Sequence, residues 1–489
     1  MNNRFSFALI GAIVAVSLVT GGCNKDDDYT AEKLFWKANK RLTELKGGDP
    51  KKKLTREESL ELIPEYAQVV ERCPSTQLAA RAQFIVADLY VTGGQVDRAR
   101  EELMKVINNF PKMGNLRAEA QFYRGYLYET QEKDWGKARE EYERVLSNHE
   151  GTMKSLEVPI YIAQHYEREG DVFTAREEYD KAIRYYEDAL SKGLSKVYVA
   201  NCMEVLSTCY IKKRRWDDAL SLLKDMAIEH PDTPHAASAM LKISNICQTL
   251  KEPEREISLY KEILGEIRGK NPPLETRATL RLAHVYMVSG EGEEARAILR
   301  NLQGRNEERK EFCSKMELMI ARSYELEDNW EKAEETYNAI EKEYPLSSAS
   351  FQAPMMIAQH YLRSGETDRA GEIFATAIDR YNTIIEQNPD SELAAAAQDY
   401  ISMSYLFQNK WEESIANLEE LIANFPNSSR AATSLFAIAS IYQNFLKKPD
   451  EALKAYESFI TQYPDHEWNR LARQQIEVIT RQQDAGVIK

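Results

Sequence analysis

Between Trp411 and Pro464 the apolar positions follow a helical period. Ile415, Leu418, Leu421 and Ile422 lie three and four apart, so they share one helix face, and Pro426 closes the segment. A stretch rich in small residues follows and ends in Ile441-Tyr442. A second amphipathic segment then runs to Pro464. Proline lacks the amide hydrogen that a helix interior needs and biases the preceding residue away from helix. Pro426 and Pro464 therefore mark helix ends, and the pattern predicts helix, turn, helix, stop.

The unit recurs. A small residue near the start of the second helix, followed four residues on by a large apolar one, stands at Ala99, Ala138, Ala175, Ala219, Ala295, Ala333, Ala370 and Ala452. Glu256 and Ser414 occupy the same register. Twelve residues upstream stands another small residue in most copies: Ala87, Ala163, Ser207, Ala283, Ala321, Ala358 and Ser402. Three positions further comes a tyrosine, as at Tyr90, Tyr166 and Tyr361. Small residues let two backbones cross closely, and the tyrosines fill the space between successive pairs. This order of small, aromatic, small and closing proline resembles the tetratricopeptide repeat over nearly the whole mature chain. The markers lie 37 to 44 residues apart, beyond the usual ~34, which calls for longer helices or turns. The resemblance implies an all-α, right-handed superhelical solenoid of about ten to eleven helix pairs. It is expected over residues 31–465, with a capping helix and tail at 466–489. Trp468, Leu471, Ala472, Ile476 and Ile479 form the stripe expected to cover the last repeat.

A longer period overlies the short one. Trp135, Tyr142, Ala175, Trp216 and Pro231 recur 195 residues later as Trp330, Tyr337, Ala370, Trp411 and Pro426. Pro159 to Tyr166 matches Pro354 to Tyr361, and both copies share the run Ile-Ala-Gln-His-Tyr. A duplicated block, 135–250 matching 330–445, accounts for this. Each copy also predicts a long second helix, Thr174 to Leu190 and Thr367 to Ile385.

At the amino end, Phe5 to Val19 is an apolar run preceded by Arg4. It is too short to span a bilayer and has the form of a secretory signal over residues 1–22. The run ends in Leu18-Val19-Thr20-Gly21-Gly22-Cys23, which resembles a bacterial lipoprotein cleavage box, with Thr20 where an aliphatic residue is usual. The resemblance implies acylation of Cys23 and a polar tether over 23–30. Asn24 in place of aspartate after the cysteine favours the outer membrane, facing the periplasm.

The chain carries a net charge of −14, and −15 without residues 1–22, which hold Arg4 and no acid. So acidic a surface argues against nucleic acid and against broad binding to anionic lipid, leaving the acyl chains as the expected membrane contact. Cys73, Cys202, Cys209, Cys247 and Cys313 are odd in number and include no CxxC pair, so neither a disulfide framework nor a zinc site is indicated. Gly265 to Asn271 has the wrong glycine spacing for a phosphate loop and lacks Ser or Thr after Lys270. His230 and His235 bring too few ligands for a metal. No cofactor and no enzymatic activity are predicted.

Binding remains. In the resembled family the first helix of each pair lines the concave side, and recognition residues lie one, five and eight positions after the helix entry. On this chain that rule implies Ile160, Gln164 and Glu167, then Met355, Gln359 and Leu362 in the duplicate. Neighbouring repeats add Glu204, Thr208, Leu318, Arg322, Asp399 and Met403. The closing motifs FPNSS and QYPDH look like those of the outer-membrane β-barrel assembly lipoproteins and of periplasmic repeat proteins of the envelope-constriction system. A lipid-anchored envelope scaffold for protein partners is the function these resemblances imply. Glycan capture, as in starch-utilisation lipoproteins, and secretin pilotin-like chaperoning are the alternatives.

Overall fold

The computed structural model describes residues 25–49 and 52–484; Cys23 and the segment 1–22 lie outside them. Among the described residues there are 23 α-helices, one π-helical turn and no strand. The chain divides into two compact units, Met1–Glu252 with Gly269–Leu274, and Pro253–Arg268 with Glu275–Lys489.

The first unit begins with α1 (Lys25–Leu45), α2 (Arg56–Arg72), α3 (Gln77–Thr92) and α4 (Val96–Asn109). It continues through α5 (Gly114–Leu127), α6 (Trp135–Asn148), α7 (Met153–Arg168) and α8 (Val172–Ser191). Then come α9 (Lys196–Lys212), α10 (Trp216–Glu229) and α11 (Pro234–Leu250). Each odd helix from α1 to α9 packs on the even helix that follows, and the odd helices touch in series from α1–α3 through α9–α11. The odd helices thus form a continuous layer.

The second unit holds α12 (Pro253–Ile267), most of α13 (Pro272–Val288), α14 (Gly292–Gly304), α15 (Lys310–Leu326) and α16 (Trp330–Glu343). It goes on with α17 (Ser348–Arg363), α18 (Thr367–Gln387), α19 (Glu392–Phe407) and α20 (Trp411–Asn424). It ends with α21 (Ser429–Asn444), α22 (Pro449–Gln462) and α23 (Asn469–Asp484). Again α15, α17, α19 and α21 touch in series. The long helices α8 and α18 have 20 and 21 residues, whereas α16 and α20 have 14 each.

Local chemistry sets the boundaries. Thr76, Thr152, Ser347 and Ser391 cap odd helices, their hydroxyls accepting from the backbone N–H three residues on. The turn from odd to even helix needs a left-handed residue. Gly170 and Gly365 supply it at φ 80° and 84°, while Arg214, Asp328 and Asn409 adopt it at 56° to 60° without being glycine.

The small-residue register marks the helix crossings. Ala99, Ala138, Ala219, Ala295, Ala333, Ala370 and Ala452 have no exposed surface, and Ala175 is 4% exposed. Their partners Leu103, Tyr142, Leu223, Phe374 and Tyr456 are likewise buried. All five described cysteines are buried.

Two expectations at the ends need correction. Lys25 to Thr30 is the first part of α1 and not a tether. Asp26, Asp27 and Asp28 fall in its first turn, where carboxylates favour the positive end of the helix dipole, and the Thr30 hydroxyl donates to the Asp26 carbonyl at 2.7 Å. On α23 the buried line is Ala472, Ile476 and Ile479, while Leu471 is 42% exposed and turned away from the repeat. Trp468 lies before the helix and meets Phe436 edge-on at 5.2 Å.

Candidate functional site

The odd helices of the two units carry every residue of the expected groove, but those residues do different things. Ile160 and Gln164 on α7 are half-buried, and so are Gln359 on α17 and Met403 on α19; Arg322 on α15 is exposed. The side chains of Gln164, Gln359 and Arg322 take no hydrogen bond or ion pair among the described residues. Leu318 and Leu362 pack against the core of the second unit. Met355 must be removed from the groove. It is 1% exposed within that core, and the Ser404 hydroxyl donates to its sulfur at 3.6 Å.

The charged members tie one odd helix to the next. The Lys242 ammonium of α11 donates to Glu204 of α9 at 2.7 Å and to the Thr208 hydroxyl at 3.0 Å. Glu204 also accepts from the Ser238 hydroxyl at 3.1 Å. Glu167 accepts from Lys212 at 2.6 Å and from the Tyr179 hydroxyl at 2.8 Å. The Lys212 bond is the main reason its carboxyl titrates below the usual range. Asp399 pairs with Arg430 of α21, but its burial outweighs that guanidinium and pushes its carboxyl up. Glu167, Glu204 and Asp399 are thus already engaged inside the array. The open part of the layer is its amides, Arg322 and half-buried apolar groups.

The histidines of the duplicated run pack against tryptophans. His165 stacks on Trp135 with ring centroids 3.3 Å apart and 2° between planes; His360 stacks on Trp330 at 3.4 Å and 1°. Each indole N–H donates to the next tyrosine, Trp135 to Tyr166 at 3.0 Å and Trp330 to Tyr361 at 3.1 Å. The charges holding those tyrosines are reversed between copies. Arg139 donates to the Tyr166 hydroxyl at 2.7 Å, whereas the Tyr361 hydroxyl donates to Glu334 at 2.8 Å.

Sequence reasoning missed a carboxylate at the centre of the first copy. Glu129 lies in the π turn Tyr128–Glu132 and accepts from the Tyr142 hydroxyl at 2.8 Å and the Tyr161 hydroxyl at 2.7 Å. The His165 Nδ1 is 3.2 Å away. Its counterpart Glu325 accepts from the Tyr337 hydroxyl at 3.0 Å and from Arg363 at 2.5 Å. One residue is inserted before Trp135 relative to the second copy, so Glu129 and Glu325 stand 196 apart and not 195. The π turn absorbs that residue. Among the described residues no group of three or more His, Cys, Asp or Glu could hold a metal ion.

Helix pairs whose odd helices touch in series, α1 to α11 in one unit and α15 to α21 in the other, define an α-solenoid. Tetratricopeptide-repeat models match residues 87–151, 167–198, 317–347, 396–428 and 433–466, and these segments are tetratricopeptide repeats. Among solved structures the chain is similar to Naa15/Naa10 bound to HypK-THB, at 12% identity and a TM-score of 0.37. That match covers 91% of this chain and 66% of the other. Yeast Tom70 gives 13% identity and a TM-score of 0.33, over 94% of this chain and 97% of that one. The tetratricopeptide-repeat domain of P58(IPK) gives 17% and 0.20, over 94% and 99%. No curated protein matches the chain.

Proposed function

We propose that the chain is a scaffold that holds protein partners on its odd-helix layer and is anchored in a bacterial envelope by acyl chains on Cys23. The observation that carries the binding half is the matched pair Gln164 and Gln359. Both are half-buried, both lack an internal partner, and both sit one residue before a histidine fixed by a tryptophan. An amide held at a set position on a rigid helix and left unpaired is suited to peptide backbone, which offers a donor and an acceptor. The anchor half is supported by the apolar run Phe5–Val19 and the Leu-Val-Thr-Gly-Gly-Cys sequence that ends it. Among the described residues no helix is long and apolar enough to cross a membrane.

Crosslinking capture from intact envelopes tests the binding half. Gln164→Ala and Gln359→Ala are each expected to lower recovery of the partner at least tenfold while helicity and melting temperature hold. Unchanged recovery for both variants overturns the assignment. For the anchor, Cys23→Ser is expected to move the protein to the soluble periplasmic fraction, because several acyl chains bind firmly where none are left to do so. A variant still membrane-bound after carbonate washing defeats that half.

A further inference from the structure

The outward face of α1 alternates exposed aromatic and basic residues. Its buried line is Ala31, Phe35, Ala38 and Leu42, seated on the core shared with α2 and α3. On the opposite side, at helical spacing, stand Tyr29, Lys33, Trp36 and Lys40. Tyr29 is 69% and Trp36 65% exposed, the two most exposed large aromatics apart from Phe173. The Lys40 ammonium lies 5.6 Å from the Trp36 ring centroid.

Charge separates this stripe from its flank. Lys37 pairs with Glu65 at 3.1 Å and Arg41 with Glu61 at 2.8 Å, so the basic groups beside α2 are neutralised by it. Lys33 and Lys40, on either side of Trp36, pair with no carboxylate among the described residues. Lys33 and Lys40 thus flank Trp36 on a chain whose net charge is −14, with Asp28 and Glu32 exposed on the side away from α2. Tryptophan and tyrosine have an apolar body and a polar edge that suit the headgroup level of a bilayer, and lysine suits its anionic phosphates. Cys23 lies two residues before α1, and the apolar run Phe5–Val19 precedes it.

We infer that this face of α1 lies flat on the membrane surface, with Tyr29 and Trp36 at the headgroup level and Lys33 and Lys40 on anionic lipid phosphates. The inference rests on the anchored reading for the nearness of a membrane, and it adds a second contact to the acyl chains. Tyr29 and Trp36 are about 10 Å apart along the axis, so a helix parallel to the surface seats both. An acylated chain tied only by Cys23 would swing freely; one also seated through α1 is held at a fixed tilt.

The test uses the mature chain carrying Cys23→Ser, which removes the acyl contribution, floated with phosphatidylcholine vesicles with or without 30% phosphatidylglycerol. Flotation with the anionic vesicles is expected, falling at least tenfold in Tyr29→Ala/Trp36→Ala and in Lys33→Glu/Lys40→Glu with the circular dichroism spectrum unchanged. Equal flotation of parent and variants overturns the inference. Acyl labelling of the unsubstituted chain in cells is scored separately, so an absent anchor and an inert stripe are told apart. A photo-crosslinking amino acid in place of Trp36 is expected to capture lipid. Capture of a protein, or of a second copy, overturns the inference instead.

Discussion

The Tyr186 hydroxyl bonds the backbone of α7 on both sides of Pro159, accepting the Ile160 N–H at 3.1 Å and donating to the Leu156 carbonyl at 2.7 Å. The ring of Pro159 displaces the preceding turn and leaves backbone groups without intrahelical partners. Pro354 does the same in α17, where the Tyr381 hydroxyl donates to the Phe351 carbonyl at 2.7 Å. The long helices α8 and α18 exist in part to bring these tyrosines to the prolines, since both stand far along their helices.

Tyr186→Phe therefore leaves a donor and an acceptor buried without partners. A loss of about 1–3 kcal/mol is expected. Tyr381→Phe strands one bonded group and should cost less. Urea midpoints of the two variants compared with the parent decide it; a neutral Tyr186→Phe means that water replaces the hydroxyl.

A glycine supplies the second prediction. Gly125 ends the twelve-residue rule: a Cβ built there meets Tyr142 Cε1 at 2.6 Å and the Ala138 carbonyl oxygen at 3.0 Å. Gly→Ala in a helix interior ordinarily stabilises by about 1 kcal/mol. Here overpacking against a backbone atom should reverse the sign and cost about 1–3 kcal/mol. A melting temperature above that of the parent would refute the close crossing.

How much of this was legible in the sequence depends on whether the signal was local. The buried alanines and their partners follow from spacing alone, because every helix crossing repeats the same steric demand. Gly125 escaped because the π turn puts it thirteen residues before Ala138 where the rule counts twelve. Glu129 escaped for the same reason. Pro159 was visible, but its remedy lies on another helix at Tyr186. Met355 was assigned to the groove by position, and only the packing of α17 on α19 shows that side chain enclosed. The acids Asp26 to Asp28 looked like a solvated run, since charge alone does not tell a tether from a first helical turn.

Alkaline pH gives a third prediction. Burial pushes the thiols of Cys202 and Cys209 from 9.0 up to about 12. An acid whose folded pKa lies above its unfolded value keeps its proton longer when folded, so stability falls as pH rises between the two. The loss should begin near pH 9 and reach at most about 1.4 kcal/mol per thiol per pH unit. Urea midpoints at pH 8 and pH 10 measure it, and Cys202→Ala with Cys209→Ala should flatten the slope. Tyrosines titrate from pH 10 upward with the same sign, which sets the upper end of the comparison. The same thiols should react with a thiol reagent only as fast as the first unit opens.

The last prediction compares Ala370 with Ser414 in one register, which on α12 holds the buried Glu256. Ala370 has no exposed surface and lies where α18 crosses α17 at Ala358, itself fully buried. The same register on α20 holds Ser414, 1% exposed, whose hydroxyl donates to the Ser402 carbonyl twelve residues upstream at 3.0 Å. Position 358 stands to 370 as 402 stands to 414, so Ala370→Ser has an acceptor waiting at the Ala358 carbonyl. It is expected to change stability by no more than about 1 kcal/mol. Ala370→Glu brings a longer, charged side chain into a crossing packed around an alanine with no exposed surface, and several kcal/mol should be lost. In a repeat array each pair leans only on its neighbours, so the damage should be confined. Hydrogen exchange should quicken in α17 through α20 and leave α2 through α8 as protected as before. Uniform loosening of both units, or a serine as harmful as the glutamate, would refute this account of the crossing.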